Sequence, residues 1–207
     1  FTVRTPEDAI GIRAYVDSKK CHSAVIVGGG FIGLEIAENL LAKGLKVAVV
    51  DMASQLLPNL FDFEVSDYIR RHLQAKGIRV VTGTALKGIY GKEGGLKVST
   101  SALDFDADLA VLAIGIRPAT EWLAGSGIEL VKGAVATDSF QGTNLEDVYA
   151  VGDCAQVFNR QTGKAQWSAM GSTANITGRL LAKNITGEPS RYGGCLGTGV
   201  VRLSDSL

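Results

Sequence analysis

Short unbroken apolar runs alternate along this chain with longer stretches in which apolar residues recur every three or four positions. That rhythm predicts buried strands separated by amphipathic helices. The first helix opens at Thr5-Pro6-Glu7-Asp8. Thr5 suits the N-cap, Pro6 the first turn, and Asp8 sits where it can return a capping-box bond. Ile10, Ala14 and Tyr15 supply a modest apolar face. Ala24-Val25-Ile26-Val27 is a branched run of strand length. Ile32, Ile36 and Leu40, with Ala37 and Leu41 beside them, then predict a helix that Gly44 ends. Lys46-Val47-Ala48-Val49-Val50 is the second strand, closed by Asp51. An irregular stretch over 52–60 contains Pro58. Asp62 then caps a helix with Val65, Ile69 and Leu73 on its face and Gly77 at its end. A strand follows at 78–81.

Shorter strands are expected over 85–90 and 96–100, around a glycine-rich loop at 91–95, with an edge strand at 103–107. Asp108 to Gly115 is a continuous apolar run, the signature of a fully buried parallel strand. A short helix is predicted at 121–124, short strands up to Thr137, and a strand over 147–153 ending in Gly152-Asp153. The stretch 158–164 reads as a polar excursion. A long helix is predicted from about Trp167 to Ile185, with Ala169, Thr173, Ile176 and Leu180 on one face and Ser168 or a neighbouring hydroxyl as cap. Pro189 stops it, and 192–203 is strand-like. The fold class is α/β: a Rossmann-type parallel sheet with helices on both faces and a small antiparallel meander packed on it.

The chemistry concentrates between the first two strands. Gly28, Gly30 and Gly33 follow the first strand in G-x-G-x-x-G spacing. Gly28 allows the tight turn, Gly30 lets an anion approach the backbone, and Gly33 lets the helix pack on the sheet. The helix start offers unpaired N–H groups and partial positive charge to a pyrophosphate. Asp51 lies where a carboxylate can accept hydrogen bonds from ribose hydroxyls. Strand before, helix after and acid at the right separation turn a weak motif into a strong one. The run ending at Gly115 places that glycine beyond a strand's carboxyl end, where backbone can pass close to a cofactor. Asp153 ends another strand and can hydrogen-bond a polyol.

Composition narrows the class further. The 207 residues are 46% hydrophobic and 20% charged, which are globular values. Lys+Arg 21 balances Asp+Glu 21, so no overall basic field invites nucleic acid. No apolar run reaches membrane-spanning length. Cys21, Cys154 and Cys195 are widely spaced, giving no basis for a metal site or redox dithiol. A reducing cytoplasm is the expected compartment. Cys21 and His22 are read as linker and Cys154 as a packing residue.

Three motifs carry a family resemblance that covers nearly the whole chain. Gly28-Gly29-Gly30-Phe31-Ile32-Gly33-Leu34-Glu35, Ala113-Ile114-Gly115-Ile116-Arg117-Pro118, and Thr143 through Asp153 resemble the NAD(P)H fingerprint, the central motif and the second FAD motif of the pyridine-nucleotide–disulfide oxidoreductases. The similar branch is that of NADH oxidases, NADH peroxidases and coenzyme A disulfide reductases, from Gly171-Ser172-Thr173-Ala174-Asn175 and Gly197-Thr198-Gly199-Val200-Val201. The resemblance implies NAD(H) and FAD as cofactors. It makes Gly28, Gly30, Phe31, Ile32, Gly33, Glu35, Asp51, Gly115, Asp153, Ala169 and Thr173 cofactor-binding residues. Phe31 would gate the nicotinamide pocket, Glu35 would lie near nicotinamide and flavin, Asp153 would bind the FAD ribityl chain, and the start of the helix after Trp167 would face the flavin.

The family's first G-x-G-x-x-G and its redox cysteine find no match here and are expected upstream of Phe1; Thr120 stands where relatives often have Asn. Residues 1–23 are read as lead-in helix and linker, 24–136 as NAD(H)-binding domain, 137–192 as the C-terminal part of the FAD-binding domain, and 193–207 as the start of a truncated interface domain. The parent is expected to be a homodimeric flavoprotein passing hydride from NADH to FAD and on to a disulfide, cysteine sulfenic acid or oxygen. The isolated piece is expected to be inactive and to hold no FAD tightly. Two other readings stand beside this: a ferredoxin- or rubredoxin-reductase relative that needs no cysteine, and a non-catalytic NAD-binding sensor module.

Overall fold

In a computed structural model that describes residues 1–201, β1 (Ser23–Val27), β2 (Lys46–Val50), β3 (Arg79–Val81) and β7 (Leu109–Leu112) form one parallel sheet in the order β3-β2-β1-β7. The helices α2 (Phe31–Ala42) and α3 (Phe63–Ala75) are the crossovers from β1 to β2 and from β2 to β3, and with α1 (Pro6–Lys19), which precedes β1, they supply one covering layer. Strand periodicity explains the two faces. Ala24, Ile26, Val47, Val49, Leu109 and Val111 point into a core completed by Leu34, Ala37, Ile69 and Leu73 from the helices. Their neighbours Val25, Val27, Ala48, Val50 and Ala110 point the other way, onto Val98, Phe105 and Ala107. Those three belong to an antiparallel meander of β4 (Leu86–Lys92), β5 (Gly95–Thr100) and β6 (Asp104–Ala107). The meander, rather than further helices, therefore covers the second face.

Local signals set the element ends. Thr5 and Asp8 form the full capping box at α1, and Asp62 caps α3 through the Val65 N–H. At the N-terminal edge of the sheet, the Asp108 carboxylate accepts from the His22 N–H at 2.7 Å, and from the Ser23 N–H and hydroxyl. These bonds, the His22 N–H first, hold its pKa below the usual value.

Residues fall into two units, Phe1–Gly115 with Val201, and Ile116–Val200. The second contains β8 (Leu130–Val131), β9 (Ala134–Val135), β10 (Gln156–Asn159), β11 (Lys164–Trp167) and α4 (Gly171–Ile185), with 3-10 turns at Glu121–Leu123 and Gly152–Cys154.

Several expectations need correcting. The loop predicted over 91–95 shrinks to a Glu93-Gly94 turn, because β4 and β5 pair up to Lys92 and Gly95. The strand predicted over 147–153 reduces to a single Gly142–Tyr149 bridge, since no strand of this unit runs beside it to complete a ladder. The polar excursion at 158–164 is the tip of the β10–β11 hairpin, where the Asn159 side chain accepts from Gln161 and Thr162 N–H. α4 starts at Gly171, uncapped by any side chain, and Ser168 plays no part. Its buried stripe is Thr173 and Thr177, while Ile176 is half exposed. The strand-like stretch expected at 192–203 is a lone Asn159–Cys195 bridge as far as 201; its last two residues lie outside the described residues.

Candidate functional site

Gly28, Gly30, Gly33, Asp51 and Gly115 converge at the carboxyl ends of β1, β2 and β7. Gly28 has φ +115°, and a Cβ there would overlap the Ala113 carbonyl at the end of β7. At Gly33 a Cβ would overlap the Gly28 carbonyl oxygen, so helix and turn meet backbone to backbone. Gly30 is different. A Cβ on it would meet nothing within 4 Å. Gly30 is also the N-cap of α2, with no side-chain cap and no acid in the first turn. The leading N–H groups of α2 thus border open space with nothing competing for them, a cradle whose donor set suits a pyrophosphate.

Asp51 is held in place rather than swinging free. Its Oδ2 accepts from the Gly29 N–H at 2.5 Å and its Oδ1 from the Ala53 N–H at 2.7 Å. Each oxygen keeps a lone-pair direction for a ribose hydroxyl. Phe31 is half-buried against the core, Ile32 is 44% exposed, and Glu35 is exposed on α2. Gly115, at φ +99°, is exposed just past β7, between the exposed Ile114 and Ile116.

The other three predicted site residues lie in the second unit. Asp153 sits in the 3-10 turn with its side chain exposed, and its carbonyl accepts from Trp167 Nε1 at 2.6 Å. Ala169 is half-buried just before the uncapped start of α4. Thr173 is buried, and burial pushes the Tyr192 phenol up.

Leu56, Leu57 and Ser66 carry no signal of a role in the sequence, and Gly29 stands there only inside the glycine motif, yet the four brace the turn. A Cβ on Gly29 would overlap Leu56 Cδ2 and crowd Asp51 Oδ2. The only sequence signal was the unbroken Gly28-Gly29-Gly30 triplet. Cys21 and Cys195 are buried and Cys154 half-buried; the Cys154 Sγ faces the Val151 carbonyl. Among the described residues no helix is long and apolar enough to cross a membrane.

Residues 1–174 match the family described as pyridine nucleotide-disulphide oxidoreductase. An NADH oxidase of Methanocaldococcus jannaschii is 34% identical over 99% of this chain and 46% of its own length. The reduced CoADR-RHD protein of Bacillus anthracis superposes with a TM-score of 0.91 at 33% identity, over 99% of this chain and 37% of that one. An engineered water-forming NADPH oxidase derived from the Lactobacillus brevis enzyme LbNOX superposes with a TM-score of 0.91 at 25% identity, covering 99% and 45%. The chain therefore spans about half the length of the curated relatives it matches.

Proposed function

The chain belongs to the pyridine nucleotide-disulphide oxidoreductase family, and from that premise we propose that it is the NAD(H)-binding portion of a flavoprotein oxidoreductase. The whole protein would take hydride from NADH to FAD and pass the electrons to a disulfide, a cysteine sulfenic acid or oxygen. The observation that carries the reading is the open cradle at Gly30, with Asp51 held beside it. Both cofactors fit what the residues offer: a free helix start and a carboxylate in the first unit, and an exposed Asp153 and a second free helix start in the other.

The nicotinamide and flavin rings supply the hydride chemistry when bound. What the chain's own residues do is bind and orient. Gly28 and Gly33 set the turn against β7 and α2, so the N–H groups of the cradle are aimed before any anion arrives. Asp51 would accept from the adenosine ribose. Phe31 and Glu35 would lie toward the nicotinamide, and Gly115 would let backbone pass close to the cofactor. Asp153 would accept from the flavin's polyol chain, and the start of α4, which Ala169 precedes, would favour negative charge near it. We read residues 24–136 as NAD(H)-binding, 137–192 as FAD-binding and 193–207 as the start of an interface domain, in a homodimeric cytoplasmic parent.

We also assign NADH over NADPH. Residues 52–57, Met-Ala-Ser-Gln-Leu-Leu, hold no Arg or Lys to receive a 2′-phosphate. The engineered NADPH oxidase carries five substitutions, among them a glycine, an aspartate and a proline spaced as Gly33, Asp51 and Pro58 are here; its unaltered parent is described as bound to NADH. The test is fluorescence titration of this chain with NADH, and an absorbance spectrum after desalting from excess FAD. Saturable NADH binding with no retained flavin is expected. No NADH binding by folded chain would sink the reading.

A further inference from the structure

α3 carries one buried polar side chain, Ser66, 1% exposed, where an apolar residue would fill the core without a hydrogen bond to make. Its Oγ accepts from Gln55 Nε2 at 3.0 Å and donates to the Leu56 carbonyl at 2.5 Å. That carbonyl shares a peptide plane with the Leu57 N–H. In a trans peptide the two point in opposite directions, and the Leu57 N–H donates to the Gly29 carbonyl at 3.2 Å. The Gly29 carbonyl in turn shares its plane with the Gly30 N–H, which is thereby directed away from Leu57. Gly30 N–H has no partner among the described residues. Leu57 holds this position at φ +50°, a strained backbone for a side chain of its size. Leu56 and Leu57 are both buried in the core, so the segment is anchored although it has no regular structure.

We propose that Ser66, through the peptide units Leu56–Leu57 and Gly29–Gly30, is a positioning residue that aims the Gly30 N–H at the cofactor's pyrophosphate. The hydrogen bonds run head to tail, each donor group belonging to the plane whose carbonyl is already held. Aligned bonds of this kind polarise one another, so the terminal N–H is a better donor as well as a fixed one. The Gly29 N–H is pinned separately by Asp51, which leaves the turn little freedom to rotate. α3 thus contributes to anion binding without touching the anion. The inference rests on the dinucleotide reading of the cradle.

The experiment titrates the chain and its Ser66→Ala variant with NADH, NADPH, ADP and adenosine, with a thermal melt of each protein as folding control. Ser66→Ala is expected to raise the Kd for NADH, NADPH and ADP by about tenfold. The Kd for adenosine, which has no phosphate, stays within about twofold, and the NADH-to-NADPH ratio is unchanged. Equal weakening of all four ligands, or none, overturns the proposal. Wild-type chain that binds no NADH overturns the dinucleotide reading instead, so the two failures are distinguishable. If Ser66→Ala does not fold, the wild-type protein still decides. Its Gly30 amide resonance should exchange quickly when free and shift strongly with ADP, while the Gly29 amide stays protected throughout; a Gly30 amide that ADP leaves unmoved refutes the aim.

Discussion

Replacing Asp51 by Asn keeps the shape of the side chain and removes its charge. The structure shows what that single change touches. The carboxylate accepts two N–H groups, Gly29 at 2.5 Å and Ala53 at 2.7 Å. An amide can accept only one of them, and its NH2 then faces the other donor, leaving it unpaired. A buried donor without a partner costs about 1–3 kcal/mol, so the variant is less stable by an amount in that range, at its lower end because Asp51 is only half-buried. Binding changes for a different reason. In the wild type a 2′-phosphate would meet the carboxylate at contact distance. Two unit charges about 4 Å apart at an effective dielectric of about 20 repel by about 4 kcal/mol, and partial exposure lowers this. Adding the hydrogen bond lost from the ribose, discrimination against NADPH comes to about 2–4 kcal/mol, or roughly 30- to 1000-fold. Asp51→Asn removes the repulsion and should bring the NADH-to-NADPH ratio below about tenfold, largely by improving NADPH. Titration calorimetry of both proteins with both cofactors measures this. Equal affinities in the wild type, or a ratio that Asn leaves unchanged, refute the reasoning.

The glycines of the turn should separate stability from binding. Gly30→Ala enters open space, so its melting temperature should stay within about 2 °C of wild type while NADH affinity falls more than about tenfold. Gly33→Ala drives a methyl into the Gly28 carbonyl and should cost about 3 kcal/mol, lowering the melting temperature by about 6–12 °C; matched melts and titrations that show the reverse order would contradict the cradle. Asp108 is held below the usual carboxylate range, the His22 N–H being the largest cause. Its folded pKa lies below the unfolded one, so the stability it adds is present above about pH 3.8 and is lost as pH falls through the folded value; Asp108→Asn should lower stability at pH 7 and flatten the acid limb of a denaturation series, and an acid limb identical to wild type would remove the assignment. Cys154→Ser in the whole flavoprotein should leave NADH-dependent turnover within about tenfold, about 1.4 kcal/mol of barrier, since the thiol only faces the Val151 carbonyl; a larger loss would give it a redox role.

What the sequence determined by itself was local. The capping box of Thr5 and Asp8, the Asp62 cap, the branched runs that became β1, β2 and β7, and the spacing of Gly28, Gly30 and Gly33 all depend on residues within a few positions of one another. Such patterns act through nearest-neighbour geometry, so they are readable without knowing what lies across the fold. Tertiary structure decided the rest. Val65 fits the helical stripe of α3 but is 41% exposed, and Ser66 beside it is buried because the Leu56 carbonyl needs a donor there. The run over 147–153 has strand composition and still forms no ladder, because a ladder needs a neighbour the local sequence cannot specify. The β10–β11 hairpin hides in a polar stretch, since its strands pair through an antiparallel backbone ladder, with an Asn159–Gln166 side-chain bond added, and apolar patterning marks neither. Asp51 could be recognised as an acid at a strand tip, but its grip on Gly29 joins residues far apart in the chain. Backbone hydrogen bonds between distant segments form only where the chain's packing brings donor and acceptor to the same place, and that meeting is a property of the whole fold rather than of any stretch within it.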